Sequence, residues 1–234
     1  MSQPFSAWQR GLRQPNLLVG MLLSSCLLLC ALLSLIWTPW DPYAMNMDAK
    51  LLLPDSQHWL GTDAFGRDVL SQLMVGARSS IAVGVIAVGI GLVFGVALGL
   101  LASALRGWVE AVIMRLSDFT FAFPAILLAI MMTAVFGPSM VNAIIAIGIF
   151  NIPTFARITR ASANAIWTRE YITAARACGK NRFSITFQHV LPNIMGVLIV
   201  QATIQFALAI LAEAALSYLG LGTQPPQPSW GRML

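Results

Sequence analysis

From Leu17 to Trp37 the chain runs 21 residues without a charged side chain. As an α-helix rising 1.5 Å per residue, that run reaches across the roughly 30 Å hydrocarbon core of a bilayer. A helix is required there because it satisfies its own backbone groups where no water can. The run is longer than the apolar region of a secretory signal, and no A-x-A-like cleavage site follows it, so 17–37 reads as a retained first span. Four further apolar segments follow: Ser79 to Leu105, Phe119 to Phe136, Met140 to Ala156 and Asn193 to Ala215. Composition agrees, with 58% hydrophobic and 10% charged residues, against about 25% charged in an ordinary soluble domain. The expectation is an all-α integral membrane protein, a polytopic helical bundle.

The basic residues orient it. The net charge of +5 comes from Lys and Arg in a few short stretches, which in a membrane chain reports topology rather than nucleic-acid binding. With the N-terminus (1–16) in the cytoplasm, Arg10, Arg13, Arg106, Arg160, Arg169, Arg176, Lys180 and Arg182 fall inside. Only Lys50, Arg67, Arg78 and Arg232 fall outside. The external loop is then 38–78, with Asp41, Asp48, Asp55, Asp63 and Asp68. A core of four spans occupies 79–215, and a proline-rich external tail occupies 216–234.

The second span carries Gly91, Gly95 and Gly99 at four-residue spacing, a face that admits a close neighbouring helix. No nucleotide site is legible. Gly89-x-Gly91 lies mid-span without a preceding strand, and in GTDAFGRD (Gly61 to Asp68) Arg67 and Asp68 stand where a phosphate loop needs Lys and Ser/Thr. Cys26, Cys30 and Cys178 show no metal or disulfide spacing. His58 reads as a lone loop histidine, His189 as a helix-end residue, and Met131 and Met132 as lipid-facing or packing residues. Arg115 and Asp118, three apart, are expected to pair with each other. Glu213, near the outer end of the fifth span, is expected to be paired or interfacial. No cofactor, metal set or substrate-binding residue is identifiable. A channel or ion-coupled carrier would carry several charges within its spans, and an intramembrane enzyme a nucleophile with its base or a metal motif. Neither pattern is visible.

The connection between spans four and five, Thr168 to Asn193, is the most informative segment. Thr168 reads as a helix N-cap, Glu170 sits in the positive first turn, and Gly179 can end the helix in left-handed geometry. A second helix should end near Val190, because Pro192 disfavours helical geometry at Leu191. Ala174 and Ala175 keep one face of the first helix slim enough to enter a partner's groove. The hairpin, 168–190, is equally consistent with a basic helical pair lying on a membrane surface.

Here a resemblance becomes specific. Glu170-Tyr171-x-x-Ala174-Ala175-x-x-x-Gly179, followed by Ile185 and Leu191-Pro192, resembles the E-A-A loop of permeases from binding-protein-dependent ABC importers. WLGTDAFGRDVLSQL (Trp59 to Leu73), MRLSDFTFAFPAILLA (Met114 to Ala129), HVLPN (His189 to Asn193) and EAALSYLGLGTQPPQPSWG (Glu213 to Gly231) are similar to blocks of the dipeptide, oligopeptide and nickel branch. The likeness covers nearly the whole chain.

The resemblance implies a type I ABC importer permease in the bacterial inner membrane, surrounded by lipid and paired with a second, homologous permease. Two cytoplasmic ATP-binding subunits and an external solute-binding protein would complete the assembly. Glu170, Tyr171, Ala174, Ala175 and Gly179 would form the ATPase-coupling element. The loop residues Gly61, Asp63, Gly66, Arg67 and Asp68 would cap the outer side or meet the binding protein. ATP hydrolysis would belong to the partners, with dipeptides or oligopeptides as substrates ahead of nickel or glutathione. Family members usually carry a sixth span after the PPQPSWG stretch, whereas five are read here. The sixth is therefore expected to be missing from this sequence.

Overall fold

A computed structural model of the chain describes residues 14–233, so Arg10, Arg13 and most of the expected N-terminal segment lie outside the described residues. Among those described, the regular structure is helical, apart from an isolated antiparallel bridge between Thr62 and Asp68. The fold forms two compact units, Met1–Ser79 with Pro226–Trp230, and Ser80–Pro225 with Gly231–Leu234.

In the first unit, helix α1 (Pro15–Leu33) opens on a proline whose missing N–H is no loss in a first helical turn. Its apolar side chains are nearly all exposed and only Ala31 is buried, which suits a helix surrounded by lipid. The following loop contains a 3₁₀ turn at Met47–Ala49. Helix α2 (Val69–Leu105) then starts ten residues ahead of the expected span. At 37 residues it is about 55 Å long, well beyond the hydrocarbon thickness.

The second unit continues α2 and adds α3 (Gly107–Ala122), α4 (Ala125–Phe136), α5 (Met140–Trp167) and α6 (Glu170–Ala177). A short α7 (Arg182–Ile185) runs through a π turn (Thr186–Val190) into α8 (Leu191–Tyr218). Helix α9 (Trp230–Met233) comes last. Among the described residues, four helical stretches are long and apolar enough to cross a membrane: α1, α2, α5 and the continuous Arg182–Tyr218. A fifth span exists only if α3 and α4 are taken as one, and they are bent by 82°. The expected third span, Phe119 to Phe136, is thus two helices. Phe123 precedes Pro124 and is pushed into extended geometry, φ −94° and ψ 127°, which stops α3.

Helix α5 packs against α3, α4 and α8. The glycine face of α2 meets it as the spacing predicts. A Cβ at Gly95 would lie 2.5 Å from the Ile152 carbonyl oxygen, and one at Gly99 would lie 2.6 Å from that of Ala156. Val83, Ala87, Ile144, Phe155 and Leu216 are buried in the apolar cluster that this approach creates.

One charged expectation is corrected. Asp118 pairs with Arg157 on α5 rather than with Arg115 on its own helix. The Arg157 guanidinium also lies over the Phe121 ring, 4.5 Å from its centroid, so ion pairing and ring stacking favour the same partner. A second link joins the same helices, with Arg160 3.0 Å from Glu110. Glu213, expected to be paired or interfacial, is hydrogen-bonded and only 1% exposed. Its carboxylate accepts from Ser217 Oγ at 2.7 Å, Thr223 Oγ1 at 3.3 Å and Ser80 Oγ at 3.4 Å. Ser217 Oγ also accepts from the Thr223 amide at 3.0 Å, so the cluster ties the turn after α8 back onto that helix.

Candidate functional site

The hairpin is built from its helix ends inward. Arg169, not Thr168, occupies the N-cap position of α6 with extended geometry, and it offers no side-chain cap. Thr168 instead closes α5, and its hydroxyl donates to the Ala165 carbonyl at 3.0 Å. Glu170 lies in the first turn of α6, where an acid meets the positive end of the helix dipole.

The other end of α6 follows the sequence expectation. Gly179 has φ +83°, its amide donates to the Arg176 carbonyl at 2.9 Å, and the Lys180 amide reaches back to Ala175 at 3.1 Å. That pair of bonds is the Schellman arrangement, and it needs a left-handed residue at this position. Asn181 then caps α7, its side-chain oxygen accepting from the Ser184 amide at 2.7 Å.

The second helix does not end near Val190. A π turn at Thr186–Val190 widens the helix just before Pro192, which stands in the first turn of α8, and the chain carries on into the span. A proline clashes with the carbonyl four residues earlier in a regular helix, and a local widening relieves that clash.

An apolar cluster joins the hairpin to the span ends. Ile172 on α6, Ile185 on α7 and Val190 in the π turn are fully buried beside Trp167, Ala163, Leu100 and Leu198. Polar groups surround it. Arg176 stacks over Trp167 at 5.1 Å, and Arg182 donates to the Ala104 carbonyl at 3.0 Å. Lys180 Nζ lies 2.8 Å from Gln188 Oε1 and 3.1 Å from His189 Nε2. The two alanines differ. Ala174 is exposed, whereas Ala175 is half-buried against the cluster. Glu170 and Tyr171 are exposed and border an open cleft with Ile166, Arg169 and Asn193.

The 38–68 loop is organised by two carboxylates. Asp63 accepts from the Phe65 and Arg67 amides at 2.8 and 2.9 Å, from Arg67 Nε at 2.8 Å and from Gln72 Nε2 at 2.9 Å. Burial pushes the Asp63 carboxyl up, but the bonds from Gln72, Arg67 and Phe65 together outweigh it and hold the group below its ordinary range. Asp68 accepts from the Ser71 amide and hydroxyl at 2.8 and 2.7 Å, and lies 3.0 Å from His58 Nδ1. His58 is therefore not alone, and the Trp40 ring lies 4.9 Å from its own. Gly61 and Gly66 both have φ +73°, and a Cβ at either would collide with backbone, of Leu52 and Asn46 respectively. The five loop residues singled out in the sequence thus shape the loop from within.

Residues 91–234 match the model of the binding-protein-dependent transport system inner membrane component family. The chain belongs to that family. It is 42% identical over 233 residues to the dipeptide transport system permease protein DppC of Alkalihalophilus pseudofirmus, covering 98% of this chain and 77% of that protein. It is 40% identical to the glutathione transport system permease protein GsiD of Pectobacterium atrosepticum, covering 97% of this chain and 76% of that one. Among solved structures, the inward-facing MetNI methionine ABC transporter shares the fold, with a TM-score of 0.59 at 22% identity, over 65% of this chain and 76% of that one. The fold is that of a type I importer permease, a multi-pass protein of the bacterial inner membrane. The family match contains the whole hairpin and leaves out the 38–68 loop.

Proposed function

We propose that the chain is a permease subunit through which a bacterial ATP-driven importer moves dipeptides or oligopeptides, with the α6–α7 hairpin as the element that receives the ATPase stroke. The relatives at about 40% identity over nearly the whole chain carry the transport reading. The hairpin geometry supports the coupling assignment. Its exposed face, with Glu170, Tyr171 and Ala174, is available to a partner, while Ile172 and Ile185 tie its other face to the spans. A push on α6 is therefore transmitted to α5 and α8 through close-packed side chains.

In this reading a second permease completes the passage and two ATP-binding subunits dock under the hairpins. A binding protein delivers solute from outside, and the N-terminus is cytoplasmic. ATP binding closes the ATPase pair, and the hairpins convert that closure into a switch of access. Glutathione is the second reading, favoured by the relative named for it.

The test is reconstitution of the importer in proteoliposomes with radiolabelled alanyl-alanine or glutathione outside. ATP-dependent uptake of alanyl-alanine is expected. Ala174→Trp, which adds bulk to an exposed face without filling the core, should reduce uptake and binding-protein-stimulated ATPase at least tenfold while the subunits still reach the membrane. Parental uptake by that variant would reject the coupling assignment.

A further inference from the structure

Between α4, the first half of α5 and the second half of α8, in the second unit, lies a cavity of about 220 Å³. Its walls are mostly apolar, with Ile126, Ile147, Phe150 and Leu208 among them, and two carboxamides, Asn151 and Gln205, interrupt them. None of the lining side chains is charged. Asn151 is only 3% exposed, and its Nδ2 has no hydrogen-bond partner among the described residues. A buried donor left unpaired is costly, and in membrane-spanning helices such polar groups tend to be retained for function. Gly91 on α2 lies against the Asn151 Cβ, so close that a side chain there would clash, and Asn151 is among the residues lining the cavity.

We infer that Asn151, with Gln205 in the same lining, is a solute-contacting and selectivity-determining residue that grips the peptide amide of the transported molecule. The inference rests on the peptide-import reading above and deepens it. A carboxamide offers a donor and an acceptor in one plane, the complement of a peptide bond. The apolar wall accommodates small side chains without selecting among them. A cavity of this volume holds roughly seven waters' worth of liquid, the scale of a dipeptide with small side chains. A lipid chain in the same space would offer the two carboxamides of the lining no hydrogen-bond partner, so an amide-bearing solute fits the chemistry better. With no charge in the lining, recognition here is of the backbone amide and not of the peptide's termini.

The experiment uses the complete reconstituted importer and radiolabelled alanyl-alanine. Asn151→Leu, close in volume and unable to hydrogen bond, should lower uptake about tenfold with co-purification of all subunits and solute affinity of the binding protein unchanged. Gln205→Leu should lower it less, and Asn151→Gln should retain part of it. Independently, Leu208→Cys is introduced with Cys26, Cys30 and Cys178 replaced by Ser. Its reaction with a maleimide should slow when alanyl-alanine and ATP are both present.

Unchanged uptake by Asn151→Leu together with no protection of the introduced thiol would overturn the inference. Loss of the second permease from the purified complex would also overturn it, by making Asn151 a helix-packing residue. If the parent importer leaves alanyl-alanine outside but carries glutathione, the dipeptide reading fails alone. The same variants are then read with glutathione, where the same tenfold loss supports the amide contact. A parent that carries neither rejects both readings.

Discussion

The hairpin and the 38–68 loop are both compact non-spanning segments of one permease, yet they are held by opposite means. The hairpin rests on fully buried isoleucines and a valine, and its charges lie at the rim. The loop has little apolar core. Most of its long apolar side chains, such as Leu51, Leu53 and Trp59, are exposed, and its shape comes from bonds converging on Asp63 and Asp68 and from two left-handed glycines. Apolar packing transmits displacement and is indifferent to pH. A network of directed bonds gives a defined surface whose stability depends on each acceptor's charge. The first suits an element that is pushed, the second an element that presents a shape.

The largest expected effect breaks the loop. At Gly66 a side chain would meet both the left-handed φ of +73° and the Asn46 carbonyl, which is backbone and cannot step aside. Gly66→Val is expected to cost on the order of 3 kcal/mol locally. Hydrogen exchange across 46–68 should rise strongly while exchange across 170–194 stays at the parental level. Equal exposure of both regions would mean that they do not have separate stabilities.

Next is the reciprocal change. Ile172→Ala removes a fully buried side chain from the cluster that ties α6 to the spans, and should destabilise the hairpin by about 2–4 kcal/mol. Exchange across 170–185 should rise and the 46–68 loop should be unaffected. Binding-protein-stimulated ATPase should fall even though the exposed Glu170, Tyr171 and Ala174 are unchanged. Retained stimulation would count against the proposed coupling through the apolar tie to the spans.

What could be read from residue order was whatever depends on near neighbours. The Schellman end at Gly179 and the α2 glycine face follow from local geometry and spacing, and both appear as expected. The break at Pro124 was within reach of the same reasoning, but a hydropathy window that averages across 119–136 hides it. The helix does not end near Val190, because a π turn hosts Pro192 where a regular helix would not. Distant partners were not legible. Spacing on α3 suggests Arg115 for Asp118, whereas the fold supplies Arg157 from another helix. His58 meets Asp68, Glu213 meets Ser80, and Asn151 enters a cavity shared with α8 only once the chain has closed. Ala174 and Ala175 look alike in the motif, and burial alone separates the exposed one from its half-buried neighbour.

The smallest effect sharpens the comparison through pH. Asp63 is held below its ordinary value of 3.8 because its bonds from Gln72, Arg67 and Phe65 outweigh the burial that raises it. A depressed carboxyl contributes stability that is fully present above the unfolded value and is lost as pH falls through the folded one. Between pH 8 and pH 5 the loop should therefore keep its exchange protection, and below about pH 4 it should loosen progressively as the carboxylate gains a proton. Asp55 acts in the same direction. Its carboxyl is lowered by the backbone bond from His58, but it is fully exposed, so its share is minor. The hairpin cluster contains no carboxylate, and its protection should not follow that titration. Asp63→Asn provides the control. It keeps the side-chain shape and removes the charge, so the loop should be looser at pH 7 and no longer respond to acid through this residue. A loop equally protected at pH 7 and pH 3 in the parent would show that its geometry does not depend on the Asp63 charge, and the contrast between bonded loop and packed hairpin would then rest on the glycines alone.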